Sequence, residues 1–162
     1  MGLAVSFWIM AVVMVGAALA VLFLRNVFRA ALALILCFIA VAGIYITLSA
    51  DFLAAVQILV YVGAISVLII LAIMMTREVQ KGSPVNKMEI PVAVVATVLL
   101  GILIYTVTNT PWKIAAGAPL SPTTVPLATR LFSENGFILP VEIGAMLLLA
   151  AILGAIVITR EK

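Results

Sequence analysis

The sequence predicts an all-α integral membrane protein with five transmembrane helices, and three observations lead there. Hydrophobic residues make up 67% of the 162 residues and charged residues only 9%. A soluble domain typically carries about 45–50% apolar and about 25% charged residues. The charges are clustered, and five long apolar runs lie between the clusters. These runs do not alternate polar with apolar residues, as strands of a membrane barrel would, so they read as helices. With so little polar sequence left over, residues 1–162 are expected to form a single membrane domain.

The first span is Leu3–Leu24. Met1-Gly2-Leu3-Ala4-Val5-Ser6 fits an N-myristoylation pattern, but an acyl chain adds nothing to a residue that runs straight into a spanning helix. Ala18-Leu19-Ala20 has the small residues of a signal-peptidase site. No Lys or Arg precedes it, however, and the apolar run continues to Leu24, so the span should be retained. A basic turn, Arg25–Arg29, leads to the second span, Ala30–Ala50, and the two should form an antiparallel hairpin.

Asp51 separates the second span from the third, Phe52–Thr76. It is placed to cap the third helix and to complement its dipole. A polar stretch containing Gly82-Ser83-Pro84 leads to the fourth span, Ile90–Trp112, with Pro91 in its first turn, where no N–H is needed. An outer loop, 113–137, carries Pro119, Pro122 and Pro126 with Gly117 and Gly136, and a short helix over Leu127–Phe132 is expected behind Pro126. The fifth span is Leu139–Thr159. At 1.5 Å per residue each span is roughly 31–38 Å long, enough for a hydrocarbon core of about 30 Å with some tilt.

Five spans put the termini on opposite sides. One side then holds Arg25, Arg29, Arg77, Lys81, Lys87, Arg160 and Lys162, and the other only Lys113 and Arg130. The excess of positive charge marks the cytoplasmic side, so the N-terminus is expected outside, in the periplasm, and the C-terminus in the cytoplasm. The net charge of +3 reflects this topology and forms no basic patch suited to nucleic acid.

Cys37 is the single cysteine and there is no histidine, which removes haem ligation by His, the usual zinc sites and any iron–sulfur cluster. No metal site is expected, and any redox centre must belong to a partner. There is no nucleophile–base pair and no phosphate-binding glycine loop, so no catalytic residue is expected in this chain. No span carries a charge near the bilayer centre, which a self-sufficient pump or ion transporter normally needs. The absence of an internal repeat also argues against an inverted-repeat transporter.

The third span stands apart. Within an uncharged stretch it carries Gln57, Tyr61 and Ser66 at depth, together with Gly63-Ala64. Gln57 and Tyr61 are spaced i, i+4 and share a face. In lipid their polar groups must be satisfied by protein or trapped water. They can therefore bond helix to helix, or line a path for water or protons. Gly63 can be a packing notch, or a place where the helix bulges and changes register. Glu142, the only carboxylate in the fifth span, is a candidate by its depth. Pro140 as the first helical position would instead place Glu142 in the first turn, where it complements the dipole. Gly16 with Ala20, Ala150 with Gly154, and Ala151 with Ala155 have the i, i+4 spacing of close helix packing.

The run Phe52-Leu53-Ala54-Ala55-Val56-Gln57-Ile58-Leu59-Val60-Tyr61-Val62-Gly63-Ala64-Ile65 resembles subunit J of bacterial NADH–quinone oxidoreductase (complex I), the relative of mitochondrial subunit 6. Arg25-Asn26-Val27-Phe28-Arg29-Ala30-Ala31 is similar to that family's first cytoplasmic turn. Leu139-Pro140-Val141-Glu142, with the Ala-rich run Leu147–Val157, is similar to its last helix. The resemblance implies five transmembrane helices in the cell inner (plasma) membrane and a π-bulge in the third helix near Tyr61 and Gly63. It implies a non-catalytic subunit beside subunits of the A, H, K and N types, with FMN, iron–sulfur clusters and quinone in other subunits. It further implies that a change between α and π-bulged forms makes or breaks a water path. On that analogy Tyr61, Gly63 and Ala64 carry the gate, with Gln57, Ser66 and Glu142 as further proton-path candidates. The same fold could serve in a membrane-bound hydrogenase or a cation/proton antiporter complex, and an independent small permease is the reading from another class.

Overall fold

A computed structural model describes residues 2–76, 89–112, 122–133 and 136–160. Among these residues there are six helices. They are α1, Gly2–Phe23; α2, Val27–Thr47; α3, Asp51–Met75; α4, Glu89–Asn109; α5, Thr124–Phe132; and α6, Ile138–Thr159. All but α5 are long and apolar enough to cross a membrane, so the five expected spans are present. The Gly82-Ser83-Pro84 stretch, Gly117, Pro119 and the basic residues Arg77, Lys81, Lys87, Lys113 and Lys162 lie outside the described residues.

Local chemistry sets the boundaries. The Asn26 side chain accepts hydrogen bonds from the backbone N–H groups of Phe28 (3.0 Å) and Arg29 (3.3 Å), satisfying two of the free donors that open α2. This cap holds the turn between α1 and α2 to a few residues. At the far end of α2, Ser49 adopts φ 58°, a left-handed conformation. The Ser49 N–H donates to Ile46 and the Ala50 N–H to Tyr45, at 3.0 and 2.9 Å. This is a Schellman closure, with serine where glycine is usual. It ends α2 at Thr47, three residues before the apolar run ends, and reverses the chain into α3.

Asp51 does not cap α3. The cap position is Ala50, which makes no side-chain bond, and Asp51 is the first helical residue. Its carboxylate still lies at the positive end of the α3 dipole. It also accepts a hydrogen bond from the backbone N–H of Thr123, at 3.4 Å, just ahead of α5. α5 begins at Thr124, three residues earlier than expected, and takes Pro126 into its first turn, where proline is tolerated. α6 likewise begins early, at Ile138, so Pro140 is its third residue.

Small residues build the core. α1 and α2 pack as the expected antiparallel hairpin, and α3 also packs against α2. The buried apolar residues are Ala17, Ala31, Ala40, Ala42 and Ala54. A Cβ added at Gly43 would lie 2.9 Å from the Met10 sulfur, so α1 and α2 approach closely there. Among the described residues Gly16, Ala150, Ala151, Gly154 and Ala155 of the expected packing pairs take no part in these contacts. A Cβ added at Gly16 or Gly154 would meet nothing within 4 Å, and Ala150, Ala151 and Ala155 are exposed. In an Ala-rich apolar helix, i, i+4 small pairs recur on every face, whereas only the residues facing a neighbouring helix can pack.

No side chain from Pro91 to Asn109 is buried, and none on α6. Among the described residues α6 touches chiefly α5. Such faces are at home against lipid tails or other polypeptides, and large apolar surfaces of this kind mark interaction sites.

Candidate functional site

Residues Gln57–Ile65 of α3 form a π-helix, between α-helical turns at Asp51–Val56 and Ser66–Met75. In a π-helix each N–H reaches back five residues instead of four, and such stretches are rare and cluster at functional sites. The expected bulge near Tyr61 and Gly63 is therefore present, and it extends over nine residues.

The lower boundary is held by Ser66. Its backbone N–H donates to the Tyr61 carbonyl, where an α-helix would use Val62. Its hydroxyl donates to the same carbonyl at 2.6 Å. Ser66 is 2% exposed, as deeply buried as Ala40 and Ala42. Gly63 lies in the middle of the segment. A Cβ there would lie 3.4 Å from the carbonyl oxygen of Ile58, five residues back, and would otherwise meet open space.

The π geometry decides which residues share a face. Ser66 lies nine positions beyond Gln57. In an α-helix nine steps of about 100° make two and a half turns, which would put them on opposite sides. Both are buried, Gln57 at 8% exposure and Ser66 at 2%. α2 is the helix that packs against all three parts of α3. The wider π turns bring both polar residues to that one helix.

Tyr61 is only half-covered, with its ring edge-on to Phe38 of α2 at a centroid distance of 5.4 Å and an interplanar angle of 65°. Gly63 and Ala64 are exposed. The structure thus sorts the third-span candidates into an inward pair, Gln57 and Ser66, an open pair, Gly63 and Ala64, and Tyr61 between them. Glu142 stands apart. It is the fifth residue of α6, one position beyond the first turn expected for it, and it is exposed with no hydrogen bond to any described residue. The helix starts two residues ahead of Pro140, because proline is as acceptable within the first turn as at its opening.

Sequence reading missed Tyr45. This residue on α2 lines a cavity of about 180 Å³ together with Phe52, Leu53, Val56, Gln57 and Tyr61. Its signal was the same as that of Tyr61, a phenol within an apolar span. Nearby, Phe52 and Leu53 face Thr123, Pro126, Leu127 and Arg130 across a groove of about 440 Å³ at the head of α3. The polar side-chain groups of the π segment and of Ser66 at its end are an amide, a phenol and a hydroxyl. They can hydrogen-bond and orient water, and they include no carboxylate or imidazole to hold a proton at neutral pH.

Comparison with known proteins agrees with this architecture. A family model described as NADH-ubiquinone/plastoquinone oxidoreductase chain 6 matches residues 17–158. The chain is 41% identical over 161 residues to NAD(P)H-quinone oxidoreductase chain 6 of Leptolyngbya boryana, covering 98% of this chain and 80% of that protein. It is 40% identical over 161 residues to the protein of the same name from Synechocystis sp., covering 97% and 80%. It is also 35% identical over 160 residues to F(420)H(2) dehydrogenase subunit J of Methanosarcina mazei, covering 96% and 90%.

Proposed function

This chain belongs to the NADH-ubiquinone/plastoquinone oxidoreductase chain 6 family, and from that premise we propose that it couples quinone reduction to proton translocation through a change of helical register in α3. Membership makes it a multi-pass membrane subunit of a complex I-type enzyme. The observation that carries the coupling proposal is the π segment, closed by two hydrogen bonds from Ser66 to one carbonyl.

The mechanism follows from the geometry. Restoring α register through Gln57–Ile65 would move each N–H to a partner four residues back. Ser66 would then be carried to the face opposite Gln57, and the turns beyond it would rotate with it. Such a rotation exchanges the surface shown to a neighbouring helix. The chain offers no acid at this depth in α3 to hold the proton. The reading therefore assigns the proton-binding carboxylates to neighbouring subunits of the A, H, K or N types, and gives α3 control of their hydration. The flavin, clusters and quinone site lie in other subunits, the N-terminus faces the periplasm, and the complex lies in the cell inner membrane. Relatives are named for complexes using NAD(P)H and F420H2, which supports a subunit type common to machines with different electron donors.

The test is Gly63→Val in the intact complex. A β-branched side chain adds methyl groups beside the Ile58 carbonyl that a π-helix brings close. The complex should assemble and reduce quinone with a reduced number of protons moved per electron. Normal pumping by an assembled Gly63→Val complex would overturn the reading.

A further inference from the structure

The groove between the head of α3 and α5 lies where α3 enters the bilayer. α5 has nine residues, and a spanning helix needs roughly 20, so α5 stays at the membrane surface. Thr123, Pro126, Leu127 and Arg130, spaced i, i+3, i+4 and i+7, turn one face toward the groove, opposite Phe52 and Leu53. By the same helical period Val125 and Phe132 turn away from it, and they are 66% and 64% exposed. Apolar residues on both sides suit α5 to the boundary between headgroups and acyl chains rather than to bulk water.

The groove has apolar walls and opposite charges at its two ends. Asp51 directly precedes Phe52, and its carboxylate lies beside the Thr123 N–H. Arg130 lines the other end, seven positions along, roughly 10 Å at about 1.5 Å per residue. Among the described residues neither forms an ion pair. A carboxylate and a guanidinium flanking an apolar floor complement a molecule that carries a cation, an anion and hydrocarbon. The volume of about 440 Å³ is in the range of small-molecule sites, about 300–1,000 Å³. A primary ammonium brings N–H donors to Asp51, which a quaternary ammonium lacks, and a phosphate accepts the forked donors of Arg130. A lipid with only negative charge would leave Asp51 opposed by a like charge. We propose that this groove binds a bilayer phospholipid with a primary-amine head, phosphatidylethanolamine. Its ammonium sits at Asp51, its phosphate at Arg130, and the start of an acyl chain lies on Phe52, Leu53, Pro126 and Leu127. The inference goes beyond the gating reading and does not depend on it, because the groove precedes the π segment.

The test is a pair of density maps of the intact complex after exchange of its native lipid, one in phosphatidylcholine alone and one in phosphatidylcholine with phosphatidylethanolamine. Headgroup density between Asp51 and Arg130 is expected only in the second. Asp51→Asn and Arg130→Gln should each lower its occupancy about two- to fivefold, the equivalent of one exposed ion pair. Equal density in phosphatidylcholine alone, or unchanged occupancy in both variants, would overturn the proposal. So would a groove filled by residues 113–121 or by a neighbouring polypeptide, or Arg130 paired with Glu134 and Asp51 with Lys113 over an empty groove. The two wild-type maps decide the matter even where a variant fails to assemble.

Discussion

The Ser66 hydroxyl and the Ser66 backbone N–H donate to a single acceptor, the Tyr61 carbonyl, the hydroxyl at 2.6 Å. A serine in a regular α-helix returns its hydroxyl to the carbonyl three or four residues back. Here the reach is five, and it matches the π ladder. Leaving that register breaks both bonds, and an α-helix offers a replacement to each, Val62 to the N–H and a carbonyl three or four residues back to the hydroxyl. The net bias is therefore a difference between bonds, no more than about that of one hydrogen bond, roughly 0.5–1.5 kcal/mol.

Ser66→Ala should shift α3 toward continuous α register by no more than roughly tenfold, the population equivalent of that upper bound. The measurement is the fraction of particle images of the intact complex in which the density beyond Gly63 follows each register. Equal fractions in the wild type and in Ser66→Ala would show that packing against α2, and not the hydroxyl, holds the π segment.

Gly63→Ala separates two explanations for the glycine. A Cβ at this position meets only the Ile58 carbonyl, at an ordinary 3.4 Å. Within this chain the methyl group fits, and the variant should pump protons within about fivefold of the wild type, because alanine favours helical backbone by only about 1 kcal/mol over glycine. If Gly63→Ala fails as badly as Gly63→Val, a neighbouring subunit must press against the open face of Gly63. Proton translocation per electron in reconstituted vesicles distinguishes the two.

The five spans were legible because charge and hydrophobicity change together at each membrane surface. The ends of the helices were less so. Ser49 closing α2 and Ala50 preceding α3 depend on backbone geometry that composition does not encode, and this displaced the role expected of Asp51. A bulge at Gly63 was one of two readings open to the residues, and the resemblance selected it. No side-chain period in Gln57–Ile65 distinguishes π from α when nearly every residue is apolar. Burial of Gln57 and Ser66 together is the feature that betrays it, and burial is invisible without a partner helix. Tyr45 was missed for the same reason, since its importance comes from facing Gln57 across α2 and α3.

Gly43 should be intolerant of bulk. A Cβ there lies 2.9 Å from the Met10 sulfur and 3.1 Å from Met10 Cγ. Methionine is flexible, so Gly43→Ala can be absorbed by a rotamer change. Gly43→Val should overpack the α1–α2 contact at a cost of about 1–3 kcal/mol and reduce the subunit recovered in the complex after mild detergent. Met10→Ala in the same chain should restore recovery. Loss that Met10→Ala does not relieve would place the clash elsewhere.

Asp51 should hold the start of α5 to the start of α3. The carboxylate accepts from the Thr123 N–H across 72 positions of sequence, and at 3.4 Å the bond is long. It should contribute no more than about 1 kcal/mol. Asp51→Ala should then speed hydrogen exchange of the Thr123 amide by up to roughly fivefold, the rate equivalent of that energy. Asp51→Asn keeps an acceptor oxygen and should exchange close to the wild-type rate. The apolar residues that line the groove between the two helices, Phe52, Leu53, Pro126 and Leu127, remain in both variants, so α5 should stay in place, and exchange at amides later in the helix should be unchanged. Acceleration along the whole of α5 in Asp51→Ala would mean that the carboxylate, and not the apolar groove, anchors this helix.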